Sequence, residues 1–177
     1  MQYLTRVIRS LSRDSRAHRE PASKGRPRSR IGVESLETRN LLSIAGVTLQ
    51  YGNLAITGTK ASGNVAQVWV DSATHNVAVS FNGQTQEFAA SQVSNITYKS
   101  GSGGGDTFVN STSMTSLVYA YGNGNHVTGG TGYNNTYFFG NNETYTATGG
   151  YSNVWIDYGT GDTIINPNNA TVVVYAN

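Results

Sequence analysis

The side chains able to do chemistry in this 177-residue chain are few and scattered. The histidines are His18 in the basic leader, His75, which has Asp71 four residues before it at the spacing of a turn, and His126 in a glycine-rich turn. Asp157 and Asp162 are the carboxylates that a hydrolytic acid–base pair would draw on. No arginine lies beyond Arg39, which leaves Lys60 and Lys99 as the later bases and nothing forked to hold a uronate carboxylate. Cysteine is absent, which removes disulfides, thiolate metal sites and cysteine nucleophiles together. No G-x-S-x-G elbow, Walker loop or paired-histidine metal motif occurs. The pattern points to a non-catalytic protein. What is abundant is tyrosine: Tyr119, Tyr121, Tyr133, Tyr137, Tyr145, Tyr151 and Tyr158 exceed what one small core absorbs. Such rings would line a face that stacks on sugars or a partner protein, or stack on one another across the fold.

The elements that must position these groups are short strands. Charged residues are 12% of the chain and glycines number 21, and the length suits about one domain. The formal charge of +2 hides a split, +6 over residues 1–45 and −4 from Ile44 onward. The basic leader, residues 1–43, is rich in Ser, Arg and Pro and reads as disordered. It lacks interleaved aromatics, so nucleic acid is not an expected partner. No apolar run reaches the roughly 18 residues of a membrane span, so no integral membrane segment is expected. Residues 44–100 read as an antiparallel β segment, with strands at 66–70, 77–81 and 85–88 and an Asn82-Gly83 hairpin turn.

From Gly101 the rhythm changes to glycine- and asparagine-rich turns alternating with three-residue strands. Units begin at Asn135, Glu143, Asn153, Asp162 and Ala170, a period near nine, with room for two more at Leu117-Val118 and His126-Val127. A nonamer cannot shelter its own apolar residue, so coils above and below must do it, and a solenoid follows. Phe108, Tyr137, Tyr145, Trp155 and Ile164 are expected to fill its interior or stack on a face.

Two resemblances sharpen this. Leu36, Glu37, Arg39, Leu41 and Leu42, just downstream of the basic stretch, resemble the LEPR-XLL motif of bacterial surface and secreted proteins, with Thr38 in the usual proline place. The resemblance implies an extracellular or cell-surface address. Gly101, Gly104, Asp106 and Phe108 resemble the hemolysin-type (RTX) nonapeptide G-G-x-G-x-D-x-U-x, and degenerate copies open at Gly129 and Gly159. That resemblance implies Ca²⁺ held between loops one coil apart, with Asp106, Glu143 and Asp162 as the metal-ligand candidates. Glu143 and Asp162 would then face one site from adjacent coils. Elsewhere Asn135, Asn153 and Asn169 take the ligand place, and neutral amides would hold turns without an ion.

The expected fold is therefore all-β, a short antiparallel segment followed by a degenerate RTX-like β-roll or parallel β-solenoid over residues 101–177. The expected function is a structural or adhesive surface module with at most weak calcium binding and a possible surface glycan or protein partner. A carbohydrate-binding module or a polysaccharide lyase-like β-helix enzyme is the alternative.

Overall fold

The computed structural model describes residues 43–166 and 170–176. The basic leader and its Leu-Glu-x-Arg-x-Leu-Leu string lie outside the described residues, apart from Ser43. The described strands are β1 (Val47–Gln50), β2 (Asn53–Thr57), β3 (Val65–Val70), β4 (Val77–Phe81), β5 (Gln84–Phe88), β6 (Asn95–Lys99) and β7 (Thr107–Asn110). They continue with β8 (Thr115–Tyr121), β9 (His126–Thr128), β10 (Tyr133–Phe139), β11 (Thr144–Thr146), β12 (Tyr151–Ile156), β13 (Thr163–Ile165) and β14 (Thr171–Ala176). A single 3₁₀ turn, Ala90–Gln92, precedes β6.

The fold is a parallel β-solenoid. One sheet runs β1-β2-β6-β8-β10-β12-β14, and every pair in it after β1·β2 is parallel. The opposite sheet runs β13-β11-β9-β7-β3-β4-β5. Each unit of about nine residues therefore contributes to one sheet, the next unit to the other, and two units close a coil. Ser116 pairs with Asn134 and Asn134 with Ser152, a register of 18 residues.

Antiparallel pairing is present where the hydrophobic alternation and turn chemistry demanded it. β3, β4 and β5 form a meander, and Asn82 (φ 49°) and Gly83 (φ 85°) supply the two left-handed positions that a type I′ turn needs. The parallel stacking nevertheless begins before Gly101, because β2 pairs with β6 and β3 with β7. The first coil is simply long, 42 residues from Asn53 to Asn95, since the β4–β5 hairpin and the 3₁₀ turn are an excursion from it. An excursion of that length hides the period from the sequence.

The core is a set of columns running along the solenoid axis. Ile56, Tyr98, Val118 and Val154 share one column, and Phe108, Val127 and Tyr145 share another across the interior; all are buried. Tyr98 and Phe108 stack at 4.8 Å between ring centroids. Phe108 and Tyr145 thus fill the interior as expected, and Ile164 packs against it, whereas Tyr137 and Trp155 stack on the outer face. Gly104 marks a corner where coils touch backbone to backbone. It has φ 78° and a side chain there would run into the main chain of Asn123, so both conformation and space require glycine.

One residue breaks its column. Thr136 lies between Val118 and Val154, and its buried hydroxyl has no hydrogen-bond partner. Thr136→Val removes that hydroxyl at nearly constant volume and is expected to stabilise the fold by about 1 kcal/mol, read as a higher urea midpoint at unchanged slope.

Candidate functional site

The metal-ligand candidates come together with two asparagines at one corner, immediately before β3, β7, β9, β11 and β13. There Asn64, Asp106, Asn125, Glu143 and Asp162 occupy equivalent places in successive coils. The backbone N–H of Asn64 donates to Asp106 Oδ1 at 2.7 Å, and that of Asp106 to Asn125 Oδ1 at 3.0 Å. The N–H of Asn125 donates to Glu143 Oε2 at 2.9 Å, and that of Glu143 to Asp162 Oδ1 at 2.8 Å. Each side chain reaches back one coil and accepts the N–H that the corner would otherwise orphan. The carbonyls run the other way: those of Asn64, Asp106, Asn125 and Glu143 accept from the N–H groups of Thr107, His126, Thr144 and Thr163, each at 2.8 Å.

Burial sets the electrostatics. Asp106 and Glu143 are each 1% exposed. Asp106 Oδ2 accepts the Gly101 N–H at 2.6 Å and the Asn64 side-chain amide at 3.1 Å. Burial first, and the Asp106 carboxylate second, raise the nearby Tyr98 phenol well above its ordinary range. Glu143 has poorer company: beyond the Asn125 N–H it has the Asn125 amide, at 3.4 Å to Oε1, and the Gly124 N–H as a weaker donor. Burial accordingly pushes the Glu143 carboxyl up to about 7; the Asn125 donors oppose the rise and the Asp162 charge adds to it.

The structure thus places Glu143 and Asp162 on adjacent coils, as their spacing predicts, and Asn125 beside Asp106. It leaves Asp106 two coils from Glu143, with Asn125 between. The spacing misses Asn64, because the hairpin excursion separates it from Asp106 by 42 residues. The donor set is a poor fit to Ca²⁺. A calcium site needs six to eight oxygens converging on one point. Here the Asp106 and Glu143 oxygens face N–H groups, whose positive ends stand where a cation would. Among the described residues, no group of three or more His, Asp or Glu side chains converges on a point that could hold a metal ion.

Of the remaining acid–base candidates, Asp71 and His75 share one exposed turn, where the His75 N–H donates to the Asp71 carbonyl at 2.9 Å. Asp71 lies in the β3–β4 turn, where its Oδ1 accepts from the N–H groups of Ala73 (2.8 Å) and Thr74 (2.9 Å). These donors, Thr74 foremost, hold its carboxyl below the usual carboxylate range. His75 follows in the left-handed position of the same turn, φ 57°.

The second constellation is aromatic and lies on the outer face of the first sheet. Tyr119, Tyr137, Trp155 and Tyr175 are in register on β8, β10, β12 and β14 and stack at 5.3, 4.4 and 5.0 Å, within 16° of parallel. Tyr121 stacks on Phe139 and Tyr133 on Tyr151 in flanking columns. Ring faces inside these stacks are covered by the ring of the next coil, and edges point outward. A sugar lies on a ring face, so the ladder offers little platform for stacking sugars.

No protein-family model, no curated protein and no solved structure matches this chain.

Proposed function

We propose that this chain is a non-catalytic β-solenoid module of a secreted or cell-surface protein, structural or adhesive in role, whose fold stands without calcium. The observation that carries this reading is the corner ladder, in which the acids with metal-ligand spacing are engaged as hydrogen-bond acceptors between coils. The parallel solenoid and the chain of amide and carboxylate contacts along its corner suit a rigid spacer. The extracellular address rests on the LEPR-XLL resemblance of Leu36, Glu37, Arg39, Leu41 and Leu42, and the absence of a body arginine supports a non-catalytic role. Calcium is expected to add nothing to the fold. Thermal melts followed by circular dichroism in EDTA and in millimolar CaCl₂ should agree within about 2 °C, the scale below which ligand linkage is negligible. A fold that forms only with Ca²⁺ would overturn the proposal. Antibody labelling of intact cells that express the full chain tests the surface address.

A further inference from the structure

The aromatic columns leave a groove on the outer face of the first sheet, between β10, β12 and β14. Within each strand, residues two apart lie about 7 Å from each other on the same face. The stack Tyr137–Trp155–Tyr175 therefore forms one wall, and Phe139 with Asp157 forms the facing wall, over a floor made by the backbone of Phe138 and Ile156. The enclosed space is about 300 Å³, at the small end of ligand pockets. Its long axis follows the solenoid, where coils repeat at about 4.8 Å, so three coils offer about 10 Å of straight channel.

We propose that this groove binds a flat, conjugated, cationic aromatic molecule of two or three rings, lying along the solenoid axis. Shape argues for flatness and length, since the walls are straight and the in-register rungs repeat without a step. Ring electronics argue for an aromatic occupant. Stacked side chains present a straight run of ring edges to the groove, and a flat aromatic laid along it meets an edge at every rung, in the offset and edge-to-face contacts that aromatic pairs favour. Charge argues for a cation. Asp157 stands on the wall, and Lys99, on β6 two strands before the groove, holds its Nζ over the Tyr121 ring at 5.6 Å, so that ring separates its charge from Phe139 and the groove. The residues from Ile44 onward, which build the solenoid, carry −4.

Thioflavin T, a planar benzothiazolium whose emission rises when its rotor is held still, is the probe. Titrated into the soluble, folded chain, it should give saturable emission at one site per chain and quench Trp155. Trp155→Phe keeps a ring in the stack, so it should retain the dye emission and lose that quenching, leaving Trp69 as the only indole. Asp157→Asn should weaken binding about fivefold at low salt with an unchanged thermal melt, the scale of one partly screened charge. Phe139→Thr, a strand-compatible change that removes a wall, should weaken it further. Absent or non-saturable emission overturns the proposal, as does emission confined to sedimentable aggregate. Equal affinity for an anionic dye, or no response to both Asp157→Asn and Phe139→Thr, does so too. Quenching of Trp155 by soluble glucan oligomers without dye binding assigns the groove to sugars instead.

Discussion

Asp106→Ala is expected to cost about 3–5 kcal/mol of folding stability, because it leaves three buried donors without an acceptor at about 1–3 kcal/mol each. Those donors are the Asn64 N–H, the Gly101 N–H and the Tyr98 O–H, while the Asn64 side-chain amide keeps Lys60 O as its remaining acceptor. Against the 5–15 kcal/mol typical of folded domains, this is a large fraction of the whole. Asp106→Asn is the sharper probe. It keeps one acceptor but turns an NH₂ toward an N–H donor, so it should cost about 1–3 kcal/mol although asparagine works in the same corner one coil away. Asn125 succeeds there because its loop points carbonyls inward: its amide donates to Tyr121 O at 3.1 Å and Gly122 O at 3.2 Å. The loop before Asp106 points the Gly101 N–H inward instead. Urea unfolding of both variants measures the difference. A loss below about 1 kcal/mol for Asp106→Ala would remove the ladder from the account of stability.

That contrast locates the limit of what the residues alone convey. The coil length was legible because apolar residues recur about every nine positions and a nonamer cannot bury one unaided. The Asn82-Gly83 turn was legible because few dipeptides accept two left-handed positions. The coil pairing of Glu143 with Asp162 followed from the same period. What did not follow was the role of these acids, since an oxygen that accepts an N–H and one that ligates Ca²⁺ carry the same spacing. Which it does depends on the direction of the Gly101 and Gly122 peptides, and no side-chain pattern encodes that direction. Asn64 was hidden for a different reason: its partner lies beyond a hairpin that interrupts the repeat. The tyrosines illustrate a third limit. Their number announced an aromatic ladder, but only the registers Tyr119–Tyr137–Trp155–Tyr175 reveal that the ring faces are consumed by the stack. The distinction turns a sugar platform into a groove walled by ring edges.

Glu143 makes the solenoid's stability depend on pH in a direction opposite to the usual acid denaturation. In the fold its carboxyl holds a proton up to about pH 7, against an ordinary value of 4.5. Below about pH 4.5 both the folded and the unfolded chain carry that proton, and the contribution is fully present. Between the two values the unfolded chain has released it while the fold retains it, so stability falls as pH rises through about 7 and then levels off. At 1.36 kcal/mol for each pH unit between those values, the loss is bounded at about 3 kcal/mol. The groups facing Glu143 shape the curve: the Asn125 N–H and amide and the Gly124 N–H favour the ionised form, and the Asp162 charge disfavours it. The melting temperature should therefore be several degrees higher near pH 5 than near pH 8, on the scaling of about 2–8 °C per kcal/mol. Glu143→Gln keeps an oxygen for the Asn125 N–H and cannot ionise, so its melting temperature should be flat over the same range and should exceed that of the parent at pH 8. A parent that is equally stable at both pH values would mean that the buried carboxyl is hydrated or relaxed outward. A variant that reproduces the parent's slope would assign the effect to another acid.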